Sequence, residues 1–448
     1  MKKVHKQQPE CSDEKKQAIR ETRKATSLKR QQQICYNYEL KIVSKHLNKK
    51  QAEELKMLFI EAKRFYNYLL SLRKKGVDIF KLNTSKIDTV KILDKDRNEI
   101  EYELRYLGSS QKQAILSKLG ANFKTCMSLL KSGKQTNFDF KFKTEYNCIP
   151  LKQYGITHRI VNPHKIRVQG VSKKLRVRGI KQIPFDLEPD FANAFLIKKP
   201  DSYYLKLTTF IFKDKLKQIE SNGQEIGIDF GCETSLTFSN GEKVNIQVEE
   251  SERLKKLSQR LNGHQIKRSN NRDKTINKIR REYQKTTNKK KDLANKICSK
   301  LKKYDLVVIQ DEQISNWKKS RHGKKIQHSC LGLVKSKLKN YDNVVVLDRF
   351  IPTTKLCTNC GKKHDEMKLW DRTFKCECGV EMDRDIHATQ NMLDIFHLVD
   401  DYLIEHKLLP TDYREVKLVE FKTAIDGTKF QKISQNDEAR RCDVFTVA

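Results

Sequence analysis

The stretch QEIGIDFG (224–231) decides how the second half of this chain is read. It is an apolar strand interrupted by one acid, Asp229, and closed by Gly231. An ionised aspartate inside a buried strand is costly unless it is paired or coordinated. Two readings therefore stand for Asp229: a metal ligand, or a core acid held in a salt bridge. Working outward, TSLTFS (234–239) and EKVNIQV (242–248) read as further strands, and a long basic helical region covers about 250–303. YDLVVIQ (304–310) is a buried strand by its continuous apolar run. A helix near 324–340, the strand NVVVLDRF (343–350) and the helix MDRDIHATQNMLDIFHLV (382–399) follow. Strands followed by helices in this order predict an α/β layer fold. No fixed-period repeat is present, which excludes a solenoid.

Charge narrows the partners. Lys and Arg total 92 against 56 acids, a formal net charge of +36 over 448 residues. Such a surplus repels itself unless the protein works against a polyanion, and nucleic acid is the commonest one. An anionic membrane is the rival. No run of about 20 apolar residues is present to span a bilayer, and no apolar signal segment stands behind the basic start. A soluble, cytoplasmic protein is expected. Hydrophobic residues at 37% suffice for real cores at this length.

The first half changes texture twice. Residues 1–34 carry Lys3, Lys6, Lys15, Lys16, Arg20, Arg23, Lys24, Lys29 and Arg30 with few apolar residues, as a solvated arm or one ordered by RNA would. CYNYELKIVS (35–44) alternates as a strand does. Leu55, Leu58, Phe59, Ala62, Phe65, Tyr66 and Leu69 then repeat at helical spacing, a core stripe. A second helix is predicted over 109–132. From FDFKFKTEYNCIPLKQYG (138–155) to SYYLKLTTFIFK (202–213), short alternating segments read as a β-rich module with a helical insertion near its front. Lys141, Lys143, Lys165, Arg167, Lys173, Lys174, Arg176 and Arg178 are interleaved with Phe, Tyr and Ile there. Basic residues alternating with aromatics suit a sheet face that follows a phosphate backbone; a solvated strand face is the plainer alternative.

Hydrolysing a phosphodiester requires an activated water and a stabilised leaving oxygen, which two divalent ions held by three or four carboxylates supply. Mg²⁺ takes hard oxygen ligands, so Asp and Glu from separate elements are sought. After Asp229, the second candidate lies in VVIQDEQI (307–314). Strand alternation puts Gln310 and Glu312 on one face and Asp311 on the other. The third lies in MDRDIHATQN (382–391), where Asp383 and Asp385 open a helix, a place where the helix dipole also favours acids on structural grounds alone.

Four of the twelve cysteines cluster: Cys357-x2-Cys360, fifteen residues, then Cys376-x-Cys378. Two close thiolate pairs suit tetrahedral Zn²⁺, and the Cys-Gly pairs at 360–361 and 378–379 suit knuckle turns. The second pair has one intervening residue where two are usual. Cys11, Cys35, Cys126, Cys148, Cys232, Cys298, Cys330 and Cys442 are scattered and read as reduced, inert thiols.

Together these motifs resemble the TnpB proteins of bacterial transposons and the small type V CRISPR effectors. The resemblance runs from about Tyr36 to Met392 and is strongest over IGIDFG, YDLVVIQDE, DRFIPTTKLCTNCG and MDRDIHATQN. It implies a multidomain α+β and α/β chain. A basic arm (1–34) would precede a β-barrel wedge domain (35–46 and 139–220) with a helical recognition insertion (47–138). A RuvC-like, RNase H-like α/β nuclease domain (221–352 and 380–408) would follow, with an inserted zinc ribbon for target nucleic acid (353–379) and a C-terminal tail, 409–448. It also implies a guide RNA, target DNA, one or two protein copies per guide, two Mg²⁺ ions on Asp229, Glu312 and Asp385, and Zn²⁺ on Cys357, Cys360, Cys376 and Cys378. Two residues depart from the pattern. The usual second-strand glutamate aligns with Gln310, so Glu312, two residues on, is expected to take its place. His387 stands where the family has Asn.

The function expected from the resemblance is RNA-guided, Mg²⁺-dependent DNA cleavage by hydrolysis. Base pairing with the guide would read the sequence, while the protein reads backbone shape. The basic helices, with Arg268, Arg272, Lys274, Lys278, Arg280 and Arg281, would line the heteroduplex channel or form a solvated hairpin. Three alternatives remain at this stage: an RNA-guided DNA-binding protein disabled at Gln310, a zinc-ribbon RNA-binding protein, and a conventional transposase that uses no RNA.

Overall fold

The computed structural model describes residues 12–405 and 414–417, apart from 95, 97, 134, 136, 218, 219, 264–268 and 369. Lys3, Lys6, Cys11, Arg268, Cys442 and nearly all of the tail lie outside the described residues. The chain divides into two compact units, 1–217 and 218–448.

In the first unit, α1 (Asp13–Gln31) buries no residue. β1 (Gln33–Ile42) and α2 (Lys49–Lys74) follow, then the hairpin of β2 (Thr89–Leu93) and β3 (Glu99–Glu103), then α3 (Ser109–Lys131). Asn48 starts α2 through a reciprocal capping box with Gln51. All seven residues of the predicted stripe on α2 are buried, packing with Leu40, Ile42, Ile149 and Leu205 of the sheet. Each buried Leu or Phe of the stripe contributes about 1.5–3 kcal/mol. On the same helix the fully buried Glu61 accepts the N–H groups of Arg105, Tyr106 and Leu107 at 2.8–3.0 Å, so its charge is spent on structure.

The sheet is built from β1, β4 (Cys148–Leu151), β5 (His158–Asn162), β6 (Lys165–Val168), β7 (Leu175–Arg178), β8 (Asp190–Lys198) and β9 (Tyr203–Phe212). Its order is β4-β8-β9-β1-β7-β6-β5, all antiparallel, in a nearly closed, barrel-like arrangement. Alternation along β6 and β7 is as predicted: Ile166, Val168, Leu175 and Val177 are buried, while Lys165, Arg167, Arg176 and Arg178 are exposed. The front of the module differs. Residues 137–146 form no strand. Phe138 and Phe140 instead pack on Phe123 of α3, with centroids 5.5 and 4.4 Å away. Aromatics with a period of two had looked like a strand, but packing rather than a ladder uses them.

The second unit holds β10 (Glu225–Phe230), β11 (Leu236–Phe238) and β12 (Lys243–Val244), then α4 (Glu252–Asn262) and α5 (Asn270–Leu301). Next come β13 (Leu306–Gln310), the short helices α6 (Ile314–Trp317), α7 (Gly323–His328) and α8 (Leu331–Leu338), and β14 (Val344–Leu347). A small hairpin, β15 (Thr373–Lys375) with β16 (Glu381–Asp383), runs directly into α9 (Arg384–Glu405), and β17 (Glu415–Val416) follows. The main sheet has the order β12-β11-β10-β13-β14-β17. β10, β13, β14 and β17 are parallel, and β10, β11 and β12 are antiparallel. Their apolar residues are covered on one side by Ala294, Cys298, Leu331 and Val334, and on the other by Met392, Ile395 and Val399. Buried Val416 places part of the predicted tail in the sheet edge. Lys274, Lys278, Arg280 and Arg281 are exposed on α5, while Arg272 is half-buried and donates to the Leu261 carbonyl. No described helix is long and apolar enough to cross a membrane.

Candidate functional site

In a mostly parallel sheet, ligand sites gather at the carboxyl ends of the strands. Asp229 stands one residue before the end of β10, just past the last β10–β13 pair, Ile228 with Ile309. α9 crosses β10 so closely that a Cβ on Gly227 would collide with the Thr389 carbonyl. That contact brings the first turn of α9, with Asp385, to the end of β10. Burial, and after it the neighbouring Asp385 and Glu312 carboxylates, push the Asp229 carboxyl up to about 7. Two acids from two other elements thus act on Asp229 electrostatically. Burial also raises the Glu312 carboxyl.

The neighbouring acids have other partners. Asp383 accepts the N–H groups of Asp385 and Ile386 at 3.0 and 3.2 Å and pairs with Lys243 at 2.8 Å. It caps α9 and is committed there. Asp311 pairs with Lys335 at 2.7 Å and Lys339 at 2.6 Å; against its partial burial, these cations hold its carboxyl below the usual range. Lys335 also donates to the Glu312 carbonyl.

The route by which Glu312 arrives differs from strand alternation. β13 ends at Gln310, and the Glu312 N–H folds back onto the Gln310 carbonyl at 2.9 Å. The Gln310 side chain points into the core. Its amide donates to the carbonyls of Asp348 (3.2 Å) and Ile351 (2.8 Å), and its oxygen accepts from Thr353 Oγ1 at 3.0 Å. With both donors and the acceptor engaged, Gln310 has no group left for a metal. Asp229, Glu312 and Asp385 offer hard oxygen donors of the kind Mg²⁺ takes, while among the described residues only the four cysteines bring their ligand atoms within 4.8 Å of one another.

The four clustered cysteines come together with every Sγ within 4.8 Å of the others. Cys357 and Cys378 are 3.5 Å apart, as are Cys360 and Cys376. A tetrahedron with about 2.3 Å metal–sulfur bonds has edges of roughly 3.8 Å, so the quartet fits Zn²⁺. Gly361 (φ 76°) and Gly379 (φ 91°) supply the left-handed turns beside each pair. Burial raises the Cys357 thiol. For Cys378, burial is outweighed by hydrogen bonds from the Val380 N–H and Asn359, and that thiol is lowered.

His387, the second departure from the family pattern, ties this cysteine module to α9. Its ring stacks on the fully buried Phe374 of β15 at 3.6 Å and lies 3.4 Å from the Asn391 amide. Burial lowers the imidazole to about 4, so it packs as a neutral ring. Asn391 in turn donates to the Thr353 and Leu356 carbonyls at 2.7 and 2.6 Å. Neither Asn391 nor Gly227 stands out in the sequence reading. Their only signals were a polar residue and a glycine inside strongly apolar elements.

Residues 201–321 match the family model described as a probable transposase, and residues 329–392 match the Cas12f1-like TNB domain. A Streptomyces pristinaespiralis protein named "Putative RNA-guided DNA endonuclease" is 28% identical over 231 residues, covering 50% of this chain and 56% of the relative. The chain thus spans little more than half the length of that relative. A solved Cas12f1–sgRNA–target DNA complex overlays with a TM-score of 0.47 and 14% identity, covering 81% of this chain and 99% of the other. Through its two domain matches, the chain resembles the family of transposon-encoded TnpB proteins and Cas12f1-like effectors, as its motifs had led us to expect.

Proposed function

We propose that this protein is an RNA-guided DNA endonuclease in which Asp229, Glu312 and Asp385 form a RuvC-like hydrolytic centre. The observation that supports this reading is that Asp385 and Glu312 both act on the buried Asp229, whose carboxyl is raised to about 7 by burial first and by those two acids next. Two Mg²⁺ ions bound there would activate water and stabilise the leaving oxygen. Asp229 and Asp385 would grip the ions from a strand and a helix locked together at Gly227, while Glu312 closes the site from the β13 turn. Asp383, Asp311 and Gln310 hold the frame. Cys357, Cys360, Cys376 and Cys378 would hold Zn²⁺ in a ribbon spanning 353–379 that contacts target nucleic acid.

The division into a wedge domain (35–46 and 139–220), a helical domain (47–138) and a nuclease domain (221–352 and 380–408) belongs to the same proposal. Guide RNA and target DNA are its partners. A cavity of about 480 Å³ lined by Gln51 of α2 and by Lys165, Arg167, Ser172, Lys173 and Lys174 supports a phosphate-backbone contact where the wedge meets α2. No acidic residue lines that cavity.

The test is cleavage of target DNA by the intact protein with guide RNA and Mg²⁺. Cutting by the wild type, abolished in Asp229→Ala and Asp385→Ala with guide binding retained, is the expected result. Tight guided binding without any product would instead identify an RNA-guided DNA-binding protein that does not cut. Bound RNA lacking a variable guide end would point to RNA binding alone.

A further inference from the structure

The turn after β14 carries two side chains outside the three acids, one of which, Arg349, acts electrostatically on Glu312. Arg349 and Phe350 are both exposed, Phe350 to 64%, and the Arg349 guanidinium lies 4.5 Å from the centre of the Phe350 ring. A single exposed ring is ordinary on a protein surface; what distinguishes this one is the guanidinium stacked beside it at the strand end.

The turn itself is held firmly. Gln310 binds the Asp348 and Ile351 carbonyls, the Phe350 N–H rests on Asp348 Oδ1 at 2.9 Å, and the Asp348 N–H donates to the Val416 carbonyl at 2.9 Å. Ile351 and Thr353 behind it are buried. β13 and β14 are parallel with Gln310 opposite Leu347, and the Asp311 N–H donates to the Leu347 carbonyl at 2.9 Å. Two residues beyond that register lie Glu312 on one strand end and Arg349 on the other. The exposed cation and ring therefore stand at the same carboxyl edge as the acid cluster. Arg349 makes no ion pair within 4.0 Å among the described residues, and its charge reaches Glu312 without contacting it closely.

We propose that Phe350 and Arg349 form a strand-holding site beside the acid cluster. There Phe350 would stack on an unpaired base of single-stranded DNA while Arg349 meets the adjoining phosphate. A ring that accepts any base and a cation that accepts any phosphate give a grip without sequence preference, which suits a cutter whose sequence is read elsewhere. Gln310 is then a positioning residue: by clamping 348–353 it fixes the distance between the stacked base and the acids. This inference deepens the endonuclease reading and rests on it for the identity of the strand.

The experiment uses the full-length chain and a single-stranded DNA oligonucleotide carrying 2-aminopurine, with Ca²⁺ replacing Mg²⁺ so that the strand stays whole. Stacking on Phe350 quenches the probe and contributes to affinity. Phe350→Ala should abolish the quench and weaken binding about tenfold, the worth of one aromatic–base stack. Phe350→Tyr should retain both. Arg349→Gln should weaken binding and flatten its salt dependence. Unchanged thermal melting in all three variants excludes a folding defect, as expected for exposed positions. Quenching and affinity in Phe350→Ala equal to wild type would overturn the proposal. If the wild type quenches the probe yet never cuts guided DNA, the endonuclease reading fails while the strand contact stands.

Discussion

Gly227 of β10 and Thr389 of α9 meet backbone to backbone, with no room for even a methyl group between them. Thr389 is fully buried, and both backbone polar groups of Gly227 are engaged by Ser239. Neither element can move aside cheaply. The contact therefore sets how near Asp385 comes to Asp229. Gly227→Ala should push α9 away from the strand, destabilise the unit by about 1–3 kcal/mol as overpacking does, and cut the cleavage rate at least tenfold. A thermal melt and a guided cleavage assay on the same preparation check both parts. Full cleavage in this variant would mean that the helix–strand spacing does not control the acid cluster.

Gln310 makes a sharper distinction, because a family-based repair suggests the opposite outcome. Restoring the expected residue with Gln310→Glu removes the amide that donates to the Asp348 and Ile351 carbonyls. Each carbonyl would keep its backbone N–H partner but lose the amide and face a carboxylate, a loss of about 1–3 kcal/mol. The expected outcome is a lower melting temperature with no gain in cutting. Glu312→Gln, by contrast, should remove cutting and leave the melt nearly unchanged. A Gln310→Glu protein that cuts faster would show that position 310, not 312, faces the metals.

The contrast between those two positions shows what the sequence could and could not reveal. β10, β13 and β14 were legible because a buried parallel strand has to be apolar throughout, and an acid in such a run stands out. The cysteine quartet was legible from spacing alone. The position of Glu312 was reached by extending strand alternation past Gln310, where the strand ends and a turn does the work. Phe138 and Phe140 misled for a related reason: a period of two is necessary for a strand but not sufficient, and Phe123 of α3 claimed both rings. Contacts such as Gly227–Thr389 and Gln310–Ile351 join residues distant in sequence and leave no periodic trace. β17 is two residues long, too short for any pattern.

Asp229 gives a pH signature whose sign is fixed. Its carboxyl is raised from 3.8 to about 7 in the folded protein, so between those values the native state holds a proton that the unfolded chain has released. Metal-free protein should therefore lose stability as pH rises from about 4 to 7, by an amount on the order of 3 kcal/mol at the upper end. Below about 4 the effect vanishes, because both states are protonated. Asp229→Asn should flatten this slope in melts recorded with chelator. Mg²⁺ should raise the wild-type melting temperature more at pH 8 than at pH 6, since it competes with that proton. A wild-type slope identical to that of the variant would place the proton elsewhere.

The cysteine module and Asp385 are joined by a very short path. β16 passes straight into α9, Asp383 at their junction caps the helix, and His387 one turn on stacks against Phe374 of β15. Loss of the tetrahedral site should loosen the hairpin and, through it, the first turn of α9, so damage at the cysteines should be felt at the acids. Cys357→Ser is expected to release bound zinc, measured by metal analysis, and to lower cleavage by one to two orders of magnitude while guide binding persists. His387→Asn, which removes the stacked ring but leaves the thiols intact, should keep zinc and still slow cleavage. If Cys357→Ser loses zinc but cuts at the wild-type rate, the hairpin does not position Asp385, and the helix holds its place through Gly227 alone.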